Sequence, residues 1–278
     1  MKTKIILPFF ICILLVFMPI SLLSQTKNPE DIKEWKGKTI MFFAAHPDDE
    51  TLVSGTLAIL ARNGNKIYVV MYTSGNKGSR DLEMTSERLA QIRKNEDIAA
   101  NKLLGIPEEY IFFLGYDDGM LEYVPQKELC EKACWFIRKY RPDAVFSFDP
   151  GTDWMQWHKT DHRMAAFISA DGARAAAYHL YFPHHRIDQG LQPFTVRDFF
   201  FFDSNEPNYK VDVTEVSELK LRSRILYVSQ FGAGNIKYVG NEPDQQRLKE
   251  QLKSNADRIA KGEKILENMR RVQESISY

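Results

Sequence analysis

The chain has 278 residues, 44% of them hydrophobic and 27% charged, with 37 basic side chains balancing 37 acidic ones. That composition is ordinary for a globular protein, and the length left after an N-terminal targeting segment suits one large α/β domain. Zero net charge and the lack of a basic stripe leave no electrostatic footprint for nucleic acid, which is excluded as a partner.

The first segment reads MKTKIILPFFICILLVFMPISLLSQ. Lys2 and Lys4 precede an apolar run over residues 5–23, and Ser24 is a small residue before a cut. Residues 1–24 therefore read as a secretory signal peptide. The alternative is an uncleaved membrane anchor, because the run nearly reaches the ~20 residues that span a bilayer. The body is expected to be exported, periplasmic or extracellular. Residues 25–37 read as a linker and 38–240 as the folded domain.

After Gly37, strand and helix patterns alternate. Residues 38–45 (KTIMFFAA) form a nearly continuous apolar run, as expected of a strand buried on both faces. A helix over 50–62 ends at Asn63-Gly64, and 66–74 is a second buried strand. A glycine-containing loop spans 75–81. A long helix over 82–104 carries Leu89, Ile92, Ile98, Leu103 and Leu104 on its apolar face, with Gly105 as a stop. Strand 110–115, helix 125–140 and strand 143–148 follow. Cys130 and Cys134 lie in that helix, and their spacing suits core residues better than a disulfide. A helix N-capped by Thr160 runs to residue 177. Residues 198–203 and 209–213 read as strands at the far edge of the sheet. The stretch 241–278 reads as one charged helix with Leu248, Leu252, Ile259, Leu266, Met269 and Val272 on a stripe, packed on the domain or at a dimer contact. The βαβα rhythm predicts an α/β fold, a doubly wound and mostly parallel sheet flanked by helices, with a C-terminal helix.

Two polar clusters fall at strand ends. AAHPDDET (44–51) follows the first strand and DPGTDWMQWHKTDHR (149–163) follows the fourth. In the strand order 3-2-1-4-5 the first and fourth strands are neighbours, so the clusters face each other at the switch point where such sheets bind ligands. His46, Asp49 and His162 then make two imidazoles and a carboxylate, a three-ligand set for one catalytic Zn2+ with an open fourth position. A cation also offsets the mutual repulsion of Asp48, Asp49 and Glu50. Asp48 remains free to act as a general base, and Glu50 reads as a residue behind the ligands or at the helix start. Trp157 offers an aromatic face for stacking on a bound ligand, or anchors its loop. His184 and His185 offer no ligand spacing with the first cluster and read as surface or pocket-rim residues.

AHPDDE after an apolar strand, with D-H-R opening a later helix, resembles the LmbE-like / PIG-L zinc-dependent N-deacetylases. IRKNEDIAANKLLGI (92–106) and GYDDGML (115–121) are similar to further pieces of that family's pattern. The resemblance covers most of residues 38–230. It implies a Rossmann-like fold and removal of the N-acetyl group from an N-acetylglucosamine-type sugar or glycoconjugate, giving acetate and a free amine. It assigns zinc to His46, Asp49 and His162 and the base to Asp48, with Arg93 as a substrate-contacting or site-supporting arginine and Asp118 as a carboxylate near the sugar. It also expects a histidine three residues before His162 to steady the oxyanion. Lys159 stands there, and His158 lies one residue further back. His158 is the candidate for that catalytic role. The alternatives are a zinc hydrolase of a non-sugar amide or ester, and a catalytically weak secreted carbohydrate-binding relative.

Overall fold

A computed structural model describes residues 30–153 and 157–273. The signal-peptide or anchor segment, Trp154 and Met155 lie outside the described residues. Five parallel strands form the body of the sheet: β1 (Thr39–Ala44), β2 (Lys66–Thr73), β3 (Ile111–Tyr116), β4 (Ala144–Phe148) and β5 (Phe199–Phe202). Two more, β6 (Tyr209–Asp212) and β7 (Leu266–Val272), complete a seven-stranded sheet in the order β3-β2-β1-β4-β5-β7-β6. The helices are α1 (Ser54–Arg62), α2 (Ser86–Leu103), α3 (Gln126–Tyr140), α4 (Thr160–Ala177), α5 (His184–Ile187), α6 (Ser217–Arg224) and α7 (Gln245–Ala260).

The apolar strands follow from burial on both faces. Residues Ile40 to Ala45 are all 0% exposed, so alternation would place polar groups in the core. Phe42 stacks on Phe202 at 5.1 Å and Phe146 on Phe200 at 4.7 Å, which joins β1, β4 and β5 side by side. Each such ring removed from water contributes about 1.5–3 kcal/mol. Gly172, in mid-helix, lets α4 close onto α3: a Cβ there would lie 2.4 Å from the Ala133 Cβ. Because β1 leads leftward to β2 and β4 rightward to β5, right-handed crossovers put their helices on opposite faces. The crevice between the carboxyl ends of β1 and β4 is the switch point.

Four expectations need correction. The C-terminal stretch is not one helix: α7 ends at Ala260, and residues 266–272 form β7, antiparallel between β5 and β6. Leu266, Met269 and Val272 thus continue the apolar spacing by chance, and alternating burial of Glu267, Met269 and Arg271 shows a strand's period. The domain accordingly extends beyond residue 240. The supposed linker is partly core, since Ile32 and Trp35 are 1% and 5% exposed. α2 begins only at Ser86, capped by Thr85, and its buried face carries Leu89, Arg93, Glu96, Asp97, Ala100 and Asn101. At α4 the capping position is Lys159, and Thr160 is the first helical residue. No helix among the described residues is long and apolar enough to cross a membrane.

Candidate active site

The first half of the site is a tight turn off β1. The Asp49 carboxylate accepts the backbone N–H groups of Ala45 (2.8 Å) and His46 (2.7 Å), folding the chain back on the strand end. Asp48 pays for that turn with φ 129°, a region that costs a non-glycine residue roughly 1–3 kcal/mol. Residues Asp49–Leu52 form a short 3-10 turn, and α1 proper starts at Ser54. The carboxylates at 48–50 therefore do not cap α1, contrary to the helix start expected at residue 50. That duty falls to Glu267 of β7, which accepts the N–H groups of Gly55 and Thr56.

The second half comes from β4 and the first turn of α4. Phe148, the last residue of β4, stacks on the His162 ring at 4.0 Å and fixes its plane. Asp161 is 1% exposed and accepts N–H from Gly119 (2.5 Å) and Leu121 (3.1 Å), tying the loop after β3 to α4. Its carboxylate also lies 3.1 Å from His46 Nε2, and Asp118 lies 2.9 Å from the same nitrogen. With Nε2 facing two acceptors, a ring proton belongs there, and His46 Nδ1 points the other way. It meets His162 Nε2 at 3.2 Å, and Asp49 Oδ1 is 3.4 Å from that same nitrogen.

One ligand atom from each of His46, Asp49 and His162 falls within 4.8 Å of the others. Burial pulls the His46 pKa down, but hydrogen bonds to Asp118 and Asp161 and the Asp49 charge outweigh it and hold it at about 10. His162 moves to about 3 through burial and the charge on His46. Asp49, Asp118 and Asp161 thus favour positive charge on and around the His46 ring, and a metal cation at Nδ1 would displace the proton there. Two imidazoles and a carboxylate, with carboxylates orienting one ring from behind, fit a zinc ion.

Asp48 stands beside this point. Burial lifts its carboxyl to about 6, against the pull of the Arg93 guanidinium. Arg93 is expected as a substrate contact; the structure buries it to 2% exposure, with Nη2 3.1 Å from Asp48 and 2.5 Å from the Pro47 carbonyl. Its other arm donates to the Gly75 carbonyl at 3.1 Å. Gly75 makes the room: its φ is +61°, and a Cβ would sit 2.3 Å from Arg93 Nη1. Gly75→Ala should lower stability by about 1–3 kcal/mol, as overpacking does. Urea denaturation measures it, and a wild-type midpoint would contradict this packing.

The remaining candidates sit as follows. Asp118 is turned to His46 and Arg93 as well as lining the cleft, so it orients the His46 ring. Glu50 is fully buried beside Asp97 of α2, and burial raises both carboxyls, Asp97 to about 8. Asn101 donates to Glu50 and Tyr227 to Asp97. His158 is buried, with Nε2 2.8 Å from the Asp149 carbonyl and Nδ1 3.4 Å from Asp203. Both nitrogens face loop acceptors, so neither is a free donor to an oxyanion, and its ring is 6.5 Å from His162. Residues 157–159 precede α4, so helical register does not govern where His158 lies. Trp157 is 85% exposed on the cleft rim, with the Arg163 guanidinium 5.3 Å over its ring. His184 and His185 meet Glu131 away from the cleft.

Sequence reasoning missed Asp161, although it adjoins His162, and it missed Asp97 and Asn101. Their signal was a polar i, i+4 series, Arg93-Asp97-Asn101, running beside the apolar residues of the same helix. It also missed Asp149, whose buried carboxylate is gripped by Arg270 of β7 and Ser204. The cleft above the cluster holds about 860 Å³, within the range of small-ligand sites.

Comparison with known proteins gives matching results. Residues 41–172 match the family model described as PIG-L, GlcNAc-PI de-N-acetylase. The diacetylchitobiose deacetylase of Thermococcus kodakarensis is 30% identical over 196 residues, covering 70% of each chain. A probable N-acetylglucosaminyl-phosphatidylinositol de-N-acetylase of Dictyostelium discoideum is 32% identical over 131 residues, 45% of this chain and 47% of that one. Among solved structures, the N,N'-diacetylchitobiose deacetylase of Pyrococcus horikoshii superposes with a TM-score of 0.69 at 27% identity, over 85% of this chain and 84% of that one.

Proposed function

This chain belongs to the PIG-L, GlcNAc-PI de-N-acetylase family, and we propose that it is a zinc-dependent amide hydrolase. In this reading it removes the N-acetyl group from an N-acetylglucosamine-type sugar or glycoconjugate. Acetate and a free amine are the products. The observation that carries the reading is the convergence of His46 Nδ1, Asp49 and His162 Nε2 beside an unliganded carboxylate, Asp48, at the floor of an open cleft.

His46, Asp49 and His162 would hold the metal. Bound there, zinc supplies Lewis-acid polarisation of the amide carbonyl and acidifies water. The chain's own groups do the rest. Asp48 takes the proton of the attacking water on a carboxylate oxygen and returns it to the departing amine nitrogen. Arg93 keeps that carboxylate aimed into the cleft and, being buried, cannot swing away. Asp118 and Asp161 hold the His46 proton on Nε2, which leaves Nδ1 available as a ligand. His158 has both ring nitrogens committed to Asp203 and the Asp149 carbonyl, so it steadies the loop beside the cleft rather than donating to the oxyanion.

His46→Ala and His162→Ala should each reduce bound zinc to well below one per chain after purification and dialysis, read by elemental analysis. A wild-type protein that fails to retain zinc when reconstituted would overturn the metal assignment. Acetate release is to be screened across N-acetylated sugars against simple esters and acetylated peptides. Release from esters or peptides alone would replace the sugar reading with a general amide or ester hydrolase. Export rests on Lys2, Lys4 and the apolar run 5–23; N-terminal sequencing of the mature protein, with a first residue near Gln25 expected, tests it.

A further inference from the structure

One wall of the cleft is made by residues 224–231, between α6 and the segment leading to α7. It is firmly mounted. Ser229 gives its N–H and hydroxyl to Glu96 of α2 at 2.8 and 2.6 Å, and Tyr227 gives its hydroxyl to Asp97. On this wall the Arg224 guanidinium lies 4.6 Å over the Phe231 ring, and both side chains line the catalytic cleft. The same two residues also line an adjoining hollow of about 170 Å³, bounded on its far side by α7. Arg247, in the first turn of α7, borders that hollow and reaches the backbone of Gly232: a Cβ at Gly232 would be 2.9 Å from its Nη1.

These two arginines differ from Arg62, Arg93, Arg163 and Arg270, each of which meets a carboxylate. Among the described residues, neither Arg224 nor Arg247 has a carboxylate within ion-pair distance. The acids nearby are committed or apart. Asp244 accepts the Arg247 backbone N–H as the α7 cap, and Glu242 lines the hollow without pairing to either guanidinium. Lys237, the third cation there, is taken by Asp81 and Glu83. Burial and the charge on Arg247 depress the Arg224 pKa against the pull of Asp48, so the two like charges feel each other. Two planar forks that border one hollow, neither paired with a carboxylate at contact distance, match the geometry of an oxyanion better than that of any neutral group.

We propose that Arg224 and Arg247 form a subsite for a compact anion, a phosphate or carboxylate, carried by the substrate away from its acetamido group. The inference rests on the deacetylase reading for what occupies the cleft floor and adds the substrate class: an anionic glycoconjugate rather than a neutral oligosaccharide. Arg224 is the hinge of the assignment because it borders both spaces. A sugar seated over His46 and Asp48 would extend its charged substituent along the Phe231 face toward Arg247.

The test uses the full zinc-loaded chain and three probes: N-acetylglucosamine 1-phosphate, a carboxymethyl glycoside of N-acetylglucosamine, and the uncharged methyl glycoside. The phosphate-bearing or carboxylate-bearing probe should exceed the methyl glycoside in kcat/KM by about tenfold or more, as expected for charge-assisted hydrogen bonds. Which of the two leads identifies the anion. In Arg224→Gln and Arg247→Gln that charged-to-uncharged ratio should fall toward one. A ratio near one in the wild type, or a ratio unchanged in both variants, overturns the subsite. If no probe releases acetate, the deacetylase reading fails separately, and calorimetric binding decides the subsite. Tighter binding of a charged probe that Arg247→Gln abolishes supports it. Equal binding in wild type and variant places the anion on the metal centre and overturns it, and so does no preference for the charged probes.

Discussion

Asp48→Asn is expected to cut turnover by about 10²–10⁴-fold, the range general-base catalysis supplies, while zinc stays near one per chain. The change is isosteric and removes charge without touching His46, Asp49 or His162. The backbone at residue 48 should survive it, because Asn tolerates positive φ as readily as Asp does, and Thr51 still donates to the carbonyl of residue 48 at 2.6 Å. The Arg93 arm 3.1 Å from the carboxylate keeps an acceptor in the amide oxygen. Acetate release, metal analysis and thermal unfolding on the same preparation separate the outcomes. Turnover within about threefold of wild type, with metal retained, would remove Asp48 as the base. Loss of zinc together with activity would instead make it part of the metal's support.

The second large effect is on stability. Glu267→Ala should lower the unfolding free energy by about 3–5 kcal/mol, the usual cost of breaking a buried hydrogen-bonded charge pair from one side. Glu267 is 3% exposed and accepts four bonds: the N–H of Gly55 (2.9 Å), the N–H and hydroxyl of Thr56 (2.8 and 2.6 Å), and the Lys220 ammonium (2.6 Å). Val53, at the capping position of α1, offers no side-chain acceptor. Removing Glu267 strands two buried amides at a helix N-terminus and leaves Lys220 without its carboxylate. Equilibrium urea denaturation reads the change, and a loss below about 1 kcal/mol would mean that water replaces the carboxylate there. Because Gly55 follows directly on the ligand turn, the variant should also lose zinc at a lower denaturant concentration than wild type.

The strand order at the switch point was legible because it depends on local patterns. Apolar runs such as KTIMFFAA admit few roles, and right-handed crossovers then bring β1 and β4 together. The HPDD and DH pieces lie at those two strand ends and converge as expected. The buried face of α2 was not legible, since Arg93, Glu96, Asp97 and Asn101 break the link between burial and apolarity. Each is buried because carboxylates, hydroxyls and backbone groups from residues 47, 48, 50, 227 and 229 partner it, although Arg93 Nε, Asp97 Oδ2 and Asn101 Oδ1 find no partner of their own. β7 was hidden for a related reason. LENMRRV has polar residues at alternate positions that are themselves buried, and the apolar ones fall at helical spacing from α7.

What the sequence by itself determined is the chemistry at short range: which residues can ligate, which strand each follows, and the doubly wound sheet that presents them. Only the tertiary structure decided how each charged group is spent. It made Arg93, which also lines the cleft, the clamp on Asp48. It placed Asp161 and Asp118 behind His46, engaged both nitrogens of His158, and sent a C-terminal strand to hold α1 and Asp149. The physical reason is that the role of a buried charge is set by the partner that neutralises it. Those partners lie up to 212 residues away along the chain, where no local periodicity records them.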